Sequence, residues 1–292
     1  MPQLSFYVTN LLIPGDPKKM TIATPSGGWK LEQAVDFVSA KAAITARRGQ
    51  QAAELPIANT YILEHSTFPQ PGREIDERAL AELTPILLAA SYASGMSVTI
   101  RDGTLAGPCL MGNPTDSWPR ARAMNGPSWV VSTEAEFQCL IEAFMKAWPT
   151  AGMTEKALLL VHHWLDALSC WSMEDLYLSA TTLLQIIVAT EATKLAKRRM
   201  DFRPGIEAST RRYGLKRLDK KFKKMRDDLV HEGRLIGAGF GRTGADRSAC
   251  NTIVADVLNW FDAYMHAALG LGPVAKTRFQ GGDFIGLNAY SI

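Results

Sequence analysis

The stretch 172-SMEDLYLSATTLLQIIVATEATKLAKRRM-200 decides the fold. Ser172, followed by Glu174 and Asp175, gives the start of a helix, with acids placed at the positive end of its macrodipole. From Leu176 to Ala189 the segment is apolar nearly all round, the profile of a helix buried on most sides. The spacing predicts a helix running to about Met200, broken by Arg203-Pro204-Gly205. A short helix over residues 206–213 and a basic one over 216–231 follow, with Gly233 placed to stop the latter. A glycine-rich loop then spans 233–244, and a last helix covers 248–269. Upstream, residues 154–170 read as a helix. Ser132-Thr133-Glu134-Ala135-Glu136 offers an N-cap and first-turn acids for another that ends near Trp148.

Further toward the N-terminus the character changes. Residues 4–12, 19–23 and 57–63 read as strands, 79–93 as a helix, and 97–100 as a strand ended by the turn Arg101-Asp102-Gly103. Residues 103–130 are rich in Gly, Pro, Ser and Asn and read as irregular structure or a domain junction. The expected architecture is therefore mainly α in two parts. A mixed α/β domain over 1–130, with a sensing or regulatory role, precedes a helical domain over 131–292.

Composition bounds the function. Hydrophobic residues are 47% and charged residues 21%, which excludes wholesale disorder. Residues 1–13 carry no charged n-region, and Pro14, Asp16 and Pro17 stand where a cleavage site would fall, so no signal peptide is expected. The longest apolar run, 183–189, is well short of the roughly 20 residues of a membrane span, so no membrane partner is expected. Cys109, Cys139, Cys170 and Cys250 form no C-x-x-C pair and read as four buried thiols of a reducing cytoplasm.

Charge is segregated along the chain. Residues 194–226 hold fourteen Lys and Arg against three acids, a net of +11 that leaves −8 for the rest of a chain whose formal total is +3. Such a block points to a polyanionic partner, because each neutralised phosphate releases condensed counterions. A solvated helix face is the alternative.

The basic helix ends Lys224-Met225-Arg226-Asp227-Asp228-Leu229-Val230-His231-Glu232-Gly233. RNA is cut without a metal when its own 2′-hydroxyl attacks the adjacent phosphate. That reaction needs a group that moves protons near neutrality and a fixed cation for the charge building on phosphate. Histidine supplies the first and arginine the second. At about 100° per residue, Arg226 and His231 lie about 140° apart around one helix, so a single copy does not aim both along one stripe. Asp227, four residues before His231, shares nearly its face, where it would orient the imidazole and raise its pKa.

This Arg and His, on a helix that follows a long buried one, resemble the R-x4-6-H signature of the HEPN superfamily, helical domains of prokaryotic toxins, CRISPR effectors and phage-defence proteins. The order of parts is similar to the ApeA-like branch: an irregular N-terminal domain, then a helix bearing an acid after an apolar run (here Ile186-Ile187-Val188-Ala189-Thr190-Glu191), then the Arg…His helix. The resemblance covers roughly residues 150–270. It implies a C-terminal HEPN-like bundle and a metal-independent endoribonuclease that leaves 2′,3′-cyclic phosphate and 5′-hydroxyl ends, with no cofactor and no metal. It further implies a homodimer whose two motifs line one cleft, tRNA or mRNA as substrate, and a toxin or phage-defence role with an antitoxin partner or phage-derived trigger.

In this reading Arg226, His231, Asp227 and Glu191 are catalytic residues, Glu191 fixing the arginine. Lys220, Lys223, Lys224 and Arg242 contact RNA. The alternatives are a helix-terminal His231 serving the macrodipole, a structural salt bridge for Glu191, and a non-catalytic HEPN module that binds RNA or a partner protein. Gly239-Phe240-Gly241-Arg242-Thr243-Gly244 matches G-x-G-x-x-G, but no strand precedes it, so it reads as a loop beside the site. Adjacent His162 and His163 point about 100° apart and suit no zinc pair, while His65 and His266 stand alone. Trp164, Trp171 and Trp260 read as packing residues.

Overall fold

Strand β1 (Leu4–Thr9) buries Leu4, Phe6 and Val8 and turns Tyr7 outward, the period-two pattern of a half-buried strand. The same alternation buries Met20 and Ile22 in β2 (Lys19–Thr24), Trp29 and Leu31 in β3 (Gly27–Gln33), and Tyr61, Leu63 and His65 in β4 (Asn59–His65). With β5 (Thr99–Leu105) and the short β6 (Pro108–Cys109) they form an antiparallel sheet of order β2-β3-β4-β1-β5-β6. The computed structural model describes residues 4–48, 58–67, 75–105, 108–109, 128–168, 170, 173–232 and 244–284. Two compact units divide the chain, Met1–Pro149 and Thr150–Ile292. Its described part is mainly helical, with this one small sheet.

Among the described residues, helices α1 (Phe37–Arg48), α2 (Ile75–Ser94) and α3 (Glu134–Ala147) accompany the sheet in the first unit. Ile86, Leu87 and Ala90 of α2 and Ile141 of α3 close over Val8, Ile22, Leu31 and Leu63 of the sheet, leaving a void of only about 10 Å³. The expected N-cap of α3 is present as a capping box: Thr133 Oγ1 accepts from Glu136 N at 3.2 Å, and Glu136 Oε2 accepts from Thr133 N at 3.2 Å. Because α3 packs on α2 and β2, with Ala23 N donating to Glu142 at 3.0 Å, the unit boundary falls after Pro149 rather than after residue 130.

The turn expected at Arg101-Asp102-Gly103 does not end β5. Phe6 pairs with Gly103 and Val8 with Ile100, so β5 carries one extra residue there and continues as a bulged strand.

The second unit is built around α5 (Met173–Lys194), which packs on α4 (Ala157–Leu168), α6 (Phe202–Tyr213), α7 (Lys220–Glu232) and α8 (Gly244–Leu269). Leu176, Tyr177, Ala180, Leu183, Leu184 and Ile187 are fully buried, as expected of an all-round apolar helix. Among the described residues α5 alone is long and apolar enough to cross a membrane, but these contacts make it the core of the unit.

The helix stops at Lys194, short of Met200. Lys197 N donates to Ala192 O and Ala196 N to Thr193 O, with Ala196 at φ 51°: a Schellman cap whose left-handed residue is alanine. Helix α7 likewise begins at Lys220, where the Asp219 carboxylate accepts the Lys221 N–H at 2.8 Å, after Gly214 has capped α6. Trp164 and Trp260 are buried as expected, and Trp171 lies outside the described residues. The four thiols are not all buried: Cys139 is exposed, Cys170 half-buried and Cys250 buried, while the Cys109 side chain lies outside the described residues.

A Cβ on Gly205 would stand 2.6 Å from Val188 Cγ1 and 2.8 Å from Cγ2, so α6 crosses α5 at a contact that only glycine permits. Gly205→Ala is expected to lower stability by about 1–3 kcal/mol in urea denaturation, and Val188→Ala in the same chain to recover part of the loss.

His266, near the end of α8, is buried, with Nδ1 3.0 Å from Gly272 O. Burial pushes its imidazole below the ordinary 6.5, and the Gly272 contact offsets this only in part. Below pH 6.5 the unfolded chain then takes up a proton that the folded chain refuses. Its contribution to stability is whole above that pH and drains as pH falls toward the depressed value. Urea midpoints measured from about pH 7.5 down to about pH 5.5 are expected to fall, and His266→Gln to flatten part of that slope.

Candidate functional site

The loop released by the Ala196 cap runs from Leu195 to Asp201 across the start of α6, and beside it opens a cleft of about 830 Å³. Its apolar floor is Val188, Ala189 and Ala192 of α5. Lys156, Lys197, Arg198, Arg199, Arg203, Lys223 and Arg226 line it against a single acid, Asp201. Asp227 is paired with Lys223 and Arg226, and Glu207 with Arg203, so with Asp201 three carboxylates stand against seven cations. The balance keeps a positive potential in a partly enclosed space, where field lines are focused.

Arg226 reaches this cleft from α7. Its side chain is 19% exposed, its guanidinium carbon lies 5.0 Å from the centroid of the Phe202 ring, and Nη1 donates to Asp227 Oδ1 at 2.9 Å. Its Nε is buried without a hydrogen-bond partner among the described residues. Phe202 in turn stacks on Phe222 at 6.4 Å, and Phe222 on Tyr177 at 4.7 Å, so the arginine rests on an aromatic column rooted in α5.

Two expectations about supporting acids are corrected. Asp227 does not serve His231: Oδ1 accepts from Arg226, and Oδ2 from Lys223 Nζ at 2.8 Å. Burial alone would raise the Asp227 carboxyl, but the hydrogen bonds and charges of Lys223 and Arg226 outweigh it and hold it below the usual range. Four residues before Asp227 stands the Lys223 ammonium and four after it the His231 imidazole, and the contact made is with the ammonium. Nor does Glu191 fix Arg226. Its carboxylate, with no exposure, accepts from Arg212 Nε at 2.9 and 3.0 Å and from Lys194 Nζ at 3.3 Å.

This pair joins a larger buried set. Glu155 accepts from Lys194 and from Tyr264 Oη at 2.7 Å and Tyr213 Oη at 3.1 Å, while Lys194 also donates to Tyr213. Burial would lower the Lys194 ammonium, but these partners hold it above its ordinary value. Lys194 and Arg212 therefore belong to the internal charge balance, and the basic block is less available than its sequence total implies.

His231 is exposed at the end of α7, next to Val230, which is 47% exposed, and it is not among the residues lining the cleft. Lys223 lines the cleft, Lys220 an adjoining smaller cavity. The side chain of Lys224, and all of Arg242 with the loop at 233–243, lie outside the described residues. Sequence reasoning passed over Phe202, Arg212, Glu155 and the cationic loop at 197–199. The loop alone had a signal, three consecutive cations, which was assigned to a helix.

A second constellation lies in the first unit. Ser26 Oγ is 3.2 Å from His65 Nε2 and donates to Glu82 Oε2 at 2.6 Å. In a nucleophile triad the acid would orient the imidazole. Here the carboxylate gathers Ser26, Thr24 and Trp29 Nε1, which ties the turn between β2 and β3 to α2. Among the described residues no group of three or more His, Cys, Asp or Glu is arranged to hold a metal ion. Comparison of the chain with protein-family models, with curated proteins and with solved structures returns no match.

Arg212→Met would strand the Glu191 carboxylate with only the longer contact from Lys194. A cost of roughly 3 kcal/mol is expected in urea denaturation, at the lower end for a buried pair because Arg212 reaches solvent. The double change Glu191→Met with Arg212→Met is expected to cost less than the single one.

Proposed function

We propose that the second unit binds single-stranded RNA and cuts it without a metal, with Arg226 and His231 as its reacting pair. The observation that carries this reading is the cationic cleft with Arg226 on its wall, a site that suits a chain of phosphates and little else. Arg226 is held from below by Phe202 and from the side by Asp227 through Nη1, which leaves Nη2 to meet a phosphate oxygen. In the reaction the 2′-oxygen attacks the adjacent phosphorus and the P–O5′ bond breaks. The imidazole of His231 moves protons, and Arg226 neutralises the charge gathering on the non-bridging oxygens. The products are a 2′,3′-cyclic phosphate and a 5′-hydroxyl.

The exposure of His231 and Val230 supports a site completed by a second copy, in which the cleft of one protomer receives the histidine of the other. The arrangement fits a HEPN-type endoribonuclease, and with it a toxin or phage-defence effector acting on tRNA or mRNA in the cytoplasm. The first unit would then carry sensing. One observation favours a second reading: within one copy His231 stands off the cleft lining, as it would in a module that binds RNA without cutting it.

A mixing experiment separates the two. Arg226→Ala and His231→Ala are each expected to lose cleavage of total RNA in EDTA by roughly a hundredfold or more while unfolding at the wild-type midpoint. Co-refolding the two inactive variants is expected to restore part of the activity, because one cleft of the mixed dimer then holds both residues. Wild-type protein that binds RNA but releases no fragments with cyclic-phosphate ends would leave the binding module standing and remove the nuclease.

A further inference from the structure

A smaller cavity of about 100 Å³ adjoins the cationic cleft and shares Phe202, Arg203 and Lys223 with it. Its character is different. Buried Ile206 and Phe222, with Leu218, give it apolar walls, while Glu207 and Asp219 share its rim with Arg217 and Lys220. A cavity of this order takes one small ring rather than a file of waters. Its aromatic wall is fixed: Phe202 and Phe222 lie 16° from parallel, and the column continues to Tyr177. Both rim acids keep acceptor capacity. Glu207 receives Arg203 Nε through Oε1, and Asp219 receives the Lys221 N–H through Oδ1, so each has a second oxygen to offer an amino or imino donor.

A half-apolar, aromatic-walled cavity opening beside a cationic groove matches the alternation of a single-stranded nucleic acid, where a flat heterocycle hangs from every phosphate. We infer that this cavity takes one unpaired nucleobase of an RNA strand whose phosphates lie in the cleft. The inference rests on the RNA-binding reading above and adds to it a base-holding subsite. Lys223 and Arg203, shared by both spaces, meet the phosphates on either side of that base. Phe202 lines both spaces, supporting Arg226 toward the cleft and, with Phe222, walling the cavity that takes the base. A base locked in a duplex does not reach the cavity, so the subsite selects loops and unpaired ends.

The test compares two strands that differ only in their bases. A fluorescent 2′-O-methyl oligoadenylate of about ten nucleotides, which lacks the attacking hydroxyl, is titrated against the full chain beside an abasic strand of equal length. The base-bearing strand is expected to bind about tenfold more tightly. Ile206→Trp, which fills the cavity from its buried wall, and Phe202→Leu, which removes an aromatic face, are each expected to erase that difference. The Ile206→Trp protein is expected to keep the wild-type affinity for the abasic strand and an unchanged salt slope. Equal binding of both strands by wild-type protein overturns the base subsite and leaves the RNA-binding reading intact. Failure to bind either strand removes the RNA-binding reading itself. Retention of the full preference by a folded Ile206→Trp protein also overturns the subsite.

Discussion

The carboxylate of Glu191 has no contact with solvent, and a charge in that position must be met or the helix carrying it does not stay buried. Arg212 and Lys194 meet it, and Lys194 in turn ties in Glu155, with Tyr213 and Tyr264 completing the set. These six side chains come from four places: the turn before α4, the last turns of α5 and α6, and the C-terminal part of α8. Hydrophobic burial along α5 brings the helices together, but it has no direction of its own. The hydrogen-bonded charges fix which turn of α6 faces which turn of α5. That register places Phe202 and Arg203 at the mouth of the cleft.

The cleft follows from this framework and from one missing side chain. Gly205 lets α6 approach Val188 closely, and the start of α6 thereby comes to lie against the cationic loop. Aromatic stacking then carries the order outward, from Tyr177 through Phe222 and Phe202 to the guanidinium of Arg226. Rigid aromatic support beneath a cation matters chemically, since a charge that need not reorganise is the most effective partner for a phosphate.

What could be read in the sequence was what depends on neighbours along the chain. The apolar run of α5, the capping box at Thr133 and Glu136, and most strands show in local pattern. Strand β3 was missed because it opens on two glycines and alternates charges with its two buried residues, Trp29 and Leu31. The end of α5 was missed because the left-handed cap position holds Ala196 where glycine would have announced it. The site divides in the same way. Arg226, singled out by its spacing from His231, lines the cleft, whereas Glu191 finds Arg212 across 21 residues, a pairing set by helix crossing and invisible to spacing. Asp227 was misassigned because helical geometry offered it partners on both sides, and it takes Lys223 and Arg226.

The alanine cap at the end of α5 has a consequence for how tightly the cleft can hold anything. A left-handed alanine costs about 1–2 kcal/mol relative to an ordinary conformation, so the turn persists because the surrounding bonds over-determine it. Lys197 is itself one of those bonds, through its N–H to Ala192 O. The first residue of the cationic loop is thus anchored in the helix by its backbone while its side chain faces the cleft. A loop rooted in this way would have little backbone freedom left to lose on binding the polyanion proposed above. Its affinity is then limited by side-chain ordering rather than by the folding of the segment that carries the charge.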